Sequence, residues 1–180
     1  NNDSNHCFQP TLVPRAAEAG VRRSLHFIKV TIMKKIDIDK LYGEYHSQKQ
    51  FYERFCSEVV NQLNEMIASA EISPALPIHY RVKTWNSITQ KIERKAYKIG
   101  RLSEIPDIAG IRIVLLFQRD MNKIANIIED TFTILNKENT ADRLGEKEFG
   151  YESIHFEVTA PNEWLKVPTL RSIGGIHGEI

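Results

Sequence analysis

DIAGIRIVLLF, residues 107–117, is a run of β-branched and apolar residues directly behind Pro106, and it reads as a central, well-buried strand. Upstream, IHYRVKT (78–84) is a second strand, and Asn86 is placed to cap a helix over SITQKIERKAYKIG that stops at Gly100. In that helix Ile88, Ile92 and Ile99 form an apolar stripe, while Ser87, Lys91, Arg94, Lys95 and Lys98 lie away from it. Downstream, MNKIANIIEDTF (121–132) reads as a helix, FTILNKE (132–138) as a strand, and NTADRLGEKEFG (139–150) as a polar loop. YESIHFEV (151–158) alternates strictly, with Ile154, Phe156 and Val158 on one face and Tyr151, Ser153, His155 and Glu157 on the other. A last short strand begins near Ile176. Strands separated by helices, without repeats, give an α+β fold: a mixed β-sheet flanked by helices.

Before the first strand, Leu41, Tyr45, Phe51, Phe55, Val59, Leu63 and Ile67 make the stripe of an amphipathic packing helix that opens at Ile38 and is stopped by SPALP, with Pro74 and Pro77. Residues 1–32 lack sustained periodicity, so the expected organisation is a flexible leader or non-native extension over 1–32 and one folded domain over 33–180, with Met33 a candidate natural start. A chain of 180 residues, 42% hydrophobic and 26% charged, has the makings of one core. A net charge of +1 supplies no global attraction for nucleic acid or anionic membrane, so phosphate binding has to come from a local cluster. Cys7 and Cys56 have neither zinc nor disulfide spacing, which suits a reducing cytoplasm. Lys and Arg interrupt every apolar stretch before the roughly 20 residues a membrane helix needs. Arg22-Arg23 faintly suggests a twin-arginine signal, but His26 and Lys29 break its apolar part, and export is not expected.

Chemistry-bearing residues concentrate in four places. Arg81, Lys83, Ser87 and Lys91 run along a strand end and around a helix start, where free N–H groups already favour an anion and two lysines add point charges. This is a candidate phosphate cradle, although the same spacing, taken alone, more often describes a solvated basic helix face. Asp107 begins an apolar run, where a carboxylate needs a cation or metal. Its ordinary readings are a turn residue after Pro106 or a partner for Arg112, the latter requiring a bulge at Gly110 because positions five apart on a regular strand face opposite ways. Tyr151, Ser153 and His155 offer a ring, a hydroxyl and an imidazole on one face, which otherwise is a half-exposed strand. Glu179, alone, carries no meaning.

Taken jointly, RVKTWNSITQK (81–91), DIAGIRIV (107–114), FGYESIH (149–155) and the terminal GEI closely resemble, in order and approximate spacing, the synthetase domain of RelA/SpoT-type enzymes, over about residues 40–180. The resemblance implies a nucleotidyltransferase-like synthetase fold and a cytoplasmic (p)ppGpp synthetase that moves pyrophosphate from ATP to the 3′-hydroxyl of GDP or GTP and releases AMP. By the same resemblance Arg81 and Arg112 sandwich adenine, and Lys83, Ser87 and Lys91 hold the ATP phosphates. Asp107 binds Mg²⁺, and Glu179 helps bind it and activates the acceptor hydroxyl. Tyr151 stacks on the acceptor guanine, and His155 and Lys147 contact acceptor or transferred phosphates.

Family members continue past the position of Ile180 into a Gln-containing, Arg-Thr-ended segment and further helices, so a fragment is expected. Glu152 stands where many members have a basic or neutral residue, and the loop with Arg143 and Lys147 aligns loosely. No His-Asp hydrolase block precedes the domain. Two other functions stay open: a toxin-type relative that pyrophosphorylates the 3′ end of tRNA, drawing on Lys91, Arg94, Lys95 and Lys98 for phosphate contacts, and a catalytically silent nucleotide-binding module. No membrane partner is expected; small relatives often form homo-oligomers, and no interface is legible here.

Overall fold

The computed structural model describes the backbone of residues 15–95, 99–140 and 153–180, and side chains within 38–94, 99–140 and 153–180. The chain divides into two units, residues 1–40 and Leu41–Ile180. In the first, the described backbone is helical from Arg15, the start of helix α1 (Arg15–Ser69), well before the apolar stripe opens. Among the described residues, no helix is long and apolar enough to cross a membrane.

Within the second unit α1 buries Leu41, Tyr45, Phe55, Val59, Leu63 and Ile67, as its stripe requires. Phe51 is only partly buried; Tyr52 and Cys56 are buried beside the stripe instead. Seven residues are about 1.9 helical turns, whereas six are about 1.7, so Tyr52 returns to the face of Tyr45 and Phe51 stops short of it. The helix ends before the prolines. Glu71 turns into the left-handed region (φ 54°), and the Ile72 N–H donates to Ile67 O at 3.1 Å, closing the helix end through its backbone.

The remaining elements are β1 (His79–Val82), α2 (Trp85–Lys95), β2 (Ala109–Arg112), α3 (Met121–Thr131), β3 (Thr133–Asn139), β4 (Ile154–Thr159), the single turn α4 (Asn162–Leu165) and β5 (His177–Glu179). The strands form one sheet in the order β1-β2-β5-β4-β3. It is mixed, because β2 and β5 run parallel and the other neighbours antiparallel. The fold is thus the α+β mixed sheet with helices that the sequence indicates. Two details differ. The middle strand is the short β5, not β2, and β2 ends at Arg112, leaving Leu116 and Phe117 exposed rather than buried.

Register assigns the residues of β1, β2, β5 and β4 to two faces. Val82 pairs with Ala109, Ala109 with Gly178 and Gly178 with Val158, so these share the face that packs into the core with Phe55 of α1. The approach there is close: a Cβ on Gly178 would lie 2.8 Å from the Phe55 ring and 3.0 Å from the Ala109 methyl. The opposite face carries Arg81 paired with Gly110, Gly110 with Glu179, and Glu179 with Glu157. Period-two alternation adds His79, Lys83, Arg112, His155 and His177 to that face. The core face is apolar and the other is almost wholly polar.

Candidate functional site

α2 begins at Trp85, two residues earlier than a cap at Asn86 allows. Thr84 is the cap: its Oγ1 accepts from the Ser87 N–H at 3.4 Å, and its carbonyl accepts from the Ile88 N–H at 3.1 Å. Ile88 is fully buried, which turns Ser87, Lys91 and Arg94 toward a cleft of about 390 Å³ that they line with Lys83, Gln90 and Asp107. β1 is held on the other side by the Tyr45 hydroxyl, which donates to Lys83 O at 2.9 Å.

Asp107 precedes β2 in the left-handed region (φ 64°), a conformation that Asp tolerates better than most residues. It is therefore a turn residue and not the first residue of the strand. Its partner is not Arg112, and no bulge interrupts the β1–β2 register at Gly110. Instead Oδ2 meets Lys83 Nζ at 2.9 Å and Oδ1 meets Lys91 Nζ at 2.7 Å. The lysines also donate to the carbonyls of Asp107 (3.2 Å) and Pro106 (3.4 Å). Side-chain exposures of 18%, 11% and 23% for Lys83, Lys91 and Asp107 set this triad well apart from a surface ion pair. Burial pushes the Asp107 carboxyl up, but the two lysines outweigh it and hold it below its ordinary value.

Arg81 and Arg112 are diagonal neighbours, since Arg81 faces Gly110 and Arg112 lies two positions further along β2. With Lys83, Asp107, His155 and Glu179 they line a cleft of about 560 Å³ over the polar sheet face. His155 Nδ1 lies 2.6 Å from Glu179 Oε1, and its Nε2 lies 3.0 Å from Ser153 Oγ, so both ring nitrogens are engaged. Glu157, directly opposite Glu179, is held by His177 Nδ1 at 2.7 Å. A third cleft, about 380 Å³, joins Lys91, Asp107, His155, Glu157 and Glu179.

Eight of the ten candidate site residues thus gather along connected clefts. Lys147 and Tyr151, like Arg143, Glu152, Lys95 and Lys98, lie outside the described residues or side chains. The sequence reading assigned no role to His79, which lines the larger cleft, to the Glu157–His177 pair, or to Thr140, which holds Ser153. Period two was the available signal for the first two: His79 stands two before Arg81, Glu157 two after His155, and His177 two before Glu179.

Among the described residues no group of three or more His, Cys, Asp or Glu side chains is arranged to hold a metal ion by itself. Asp107 and Glu179 nonetheless supply hard carboxylate oxygens to the same clefts. Such a pair suits Mg²⁺, which is commonly held by one or two carboxylates together with substrate phosphates.

Residues 80–168 match the sequence pattern described as the region found in RelA / SpoT proteins. Compared with the curated proteins, the chain matches none. In structure it is similar to the small alarmone synthetase 1 from Bacillus subtilis bound to its product pppGpp, with a TM-score of 0.61 and 24% identity over 77% of this chain and 71% of that one. It is also similar to the same synthetase bound to AMPCPP, with a TM-score of 0.52 and 22% identity over 66% of this chain and 60% of that one. A GTP pyrophosphokinase family protein from Streptococcus pneumoniae gives a TM-score of 0.59 and 22% identity, over 76% of this chain and 68% of that one. The chain therefore spans 60% to 71% of the length of these proteins. At such identities the likeness establishes the fold alone, and the sequence match shows that the chain carries, over residues 80–168, the region found in RelA / SpoT proteins.

Proposed function

We propose that the chain transfers pyrophosphate from ATP to the 3′-hydroxyl of GDP or GTP, releasing AMP, in the manner of a (p)ppGpp synthetase. One observation carries the reading: a single polar sheet face brings Arg81, Lys83, Asp107, Arg112, His155 and Glu179 to one cleft. The bound pppGpp and AMPCPP of structurally similar synthetases support nucleotides as the ligands.

The roles follow from the placement. Arg81 and Arg112, diagonal on one face, present two planar guanidinium groups suited to stacking on adenine. The N-terminal turn of α2, with Ser87, Lys91 and Lys83, binds the phosphate chain through N–H dipoles and ammonium groups. Incoming phosphates compete with Asp107 for Lys83 and Lys91, and the exchange frees both carboxylate oxygens as the lysines turn to the nucleotide. Asp107 and Glu179 are then the residues that would hold Mg²⁺, which supplies charge neutralisation to phosphate oxygens. Glu179 accepts the proton of the attacking hydroxyl, and His155 holds that carboxylate in place. Lys147 and Tyr151 are proposed to meet the acceptor. Most of the rate then comes from positioning and electrostatics.

The test is incubation with γ-labelled ATP, Mg²⁺ and GDP, GTP or deacylated tRNA, followed by product separation. Label in guanosine tetra- or pentaphosphate, with AMP released in step, is the expected result. Label only in tRNA would replace the acceptor, and label in neither, with no AMP, would reduce the chain to a nucleotide-binding module. In the same assay Asp107→Ala should abolish transfer.

A further inference from the structure

Beyond the cleft itself, a chain of hydrogen bonds runs across the sheet from the end of β3 to β5. Thr140 and Ser153 clasp each other: the Thr140 N–H donates to Ser153 O at 2.9 Å, the Ser153 N–H donates to Thr140 Oγ1 at 2.9 Å, and Thr140 Oγ1 donates to Ser153 O at 3.0 Å. The two hydroxyl oxygens are also 3.2 Å apart. Ser153 Oγ then meets His155 Nε2 at 3.0 Å, and His155 Nδ1 meets Glu179 Oε1 at 2.6 Å.

Donor and acceptor chemistry gives this chain a direction. An ionised carboxylate only accepts, so His155 Nδ1 must carry the proton it shares with Glu179. In the neutral ring Nε2 is then an acceptor, and the Ser153 hydroxyl is its donor. Glu179 needs such a hold. Glu157 stands directly opposite it across the β4–β5 pair, and like charges so placed push each other away. Two crossed bonds draw them apart: His155 takes Glu179, and His177 takes Glu157 at 2.7 Å.

We infer that Thr140 and Ser153 are positioning residues of the transfer reaction: by holding the ring plane of His155 through Nε2, while Glu179 sets its Nδ1–H tautomer, they aim the Glu179 carboxylate into the cleft. Ser, His and Glu in this order also have the contacts of a nucleophile, base and orienting acid. The clasp with Thr140 separates the two cases, because it ties Ser153 into the sheet through its backbone as well as its hydroxyl. The role rests on the proposed function, but its first test does not.

The first test is a long-range ¹H–¹⁵N spectrum of the imidazole rings of the whole chain, recorded without nucleotide or metal and above the pH range where imidazole ionises. His155 should appear as the Nδ1–H tautomer. In Ser153→Ala and Thr140→Val the Nδ1–H proton should move upfield and exchange faster with water as the ring loses its hold at Nε2, and Thr140→Ser, which keeps the hydroxyl, should restore the original signal. The second test is kinetic. Both variants should lose about 10- to 100-fold in kcat, as outer partners of site ligands commonly do, with the KM for ATP unchanged and Thr140→Ser near wild type. An unchanged Nδ1–H signal in Ser153→Ala, full kcat in either variant, or equal damage to the KM of both nucleotides overturns the inference. A wild-type chain that transfers nothing would refute the proposed function alone, and the spectra would still decide whether Thr140 and Ser153 orient His155.

Discussion

Asp107→Asn replaces the carboxylate that joins Lys83 and Lys91 by an amide of nearly the same shape. Asparagine suits the left-handed backbone at φ 64° and keeps one oxygen acceptor, so the change isolates the charge and one hydrogen bond. The bonds at stake are 2.7 and 2.9 Å long and involve ammonium groups with side-chain exposures of 11% and 18%. A hydrogen bond to a charged group contributes about 1.5–3 kcal/mol, and that is the expected loss of stability near pH 7. For a folded unit of this size the loss lowers Tm by roughly 3–12 °C. Asp107→Ala removes both acceptors and puts a residue without a local polar partner into the left-handed region, adding about 1 kcal/mol or more. The pH dependence has a definite sign. The folded carboxyl titrates below its ordinary 3.8 because the two lysines outweigh burial, so its contribution is present above that value and lost as pH falls through the lower folded one. Urea titrations of wild type and Asp107→Asn, with chelator present, should show the full gap above about pH 5 and a closing gap below about pH 4. Equal stability at pH 7, or a gap that persists undiminished in acid, would refute the lysine–aspartate account.

Three further outcomes are expected. Gly178→Ala should cost about 1–3 kcal/mol in thermal unfolding, because the new methyl meets the Phe55 ring at 2.8 Å and Ala109 at 3.0 Å in a packed core; an unshifted Tm would contradict the close approach. Cys56 is fully buried and its thiol is pushed up to about 12, first by burial and then by Glu53, so alkylation at pH 8 should proceed only at the rate of unfolding, and rapid labelling of the native chain would be inconsistent with that packing. Arg81→Lys and Arg112→Lys should each raise the KM for ATP by about 10-fold or more with little change for the acceptor, because an ammonium does not stack as a guanidinium does; unchanged ATP kinetics in either would remove that arginine from the adenine site.

Much of this site was legible because it follows from local periodicity. The strict alternation of 151–158 separates Phe156 and Val158, which are buried, from His155 and Glu157, which face the clefts. The same alternation places Arg81 and Lys83 together once IHYRVKT is read as a strand. Tyr52 was missed because a six-residue step was accepted where the helix requires seven. The cap at Thr84 was missed because Thr84 and Asn86 are both good caps by residue type, and only the buried side of Ile88 selects between them.

The amino-acid sequence by itself determined the elements, their polar and apolar faces, and most of the residues that gather at the cleft, since each depends on neighbours a few positions away. Tertiary structure decided who meets whom. Lys83, Lys91 and Asp107 come from a strand, a helix and a turn, and their bonds exist because Asp107 leaves the extended conformation before β2 begins. The crossed pairs of Glu157 with His177 and Glu179 with His155 depend on antiparallel register between strands about twenty residues apart in the chain. The alternation of Ile176, Gly178 and Ile180 with His177 and Glu179 sets the faces of β5, but a shift of two residues would keep those faces and break both pairs, and no pattern within either strand fixes that choice.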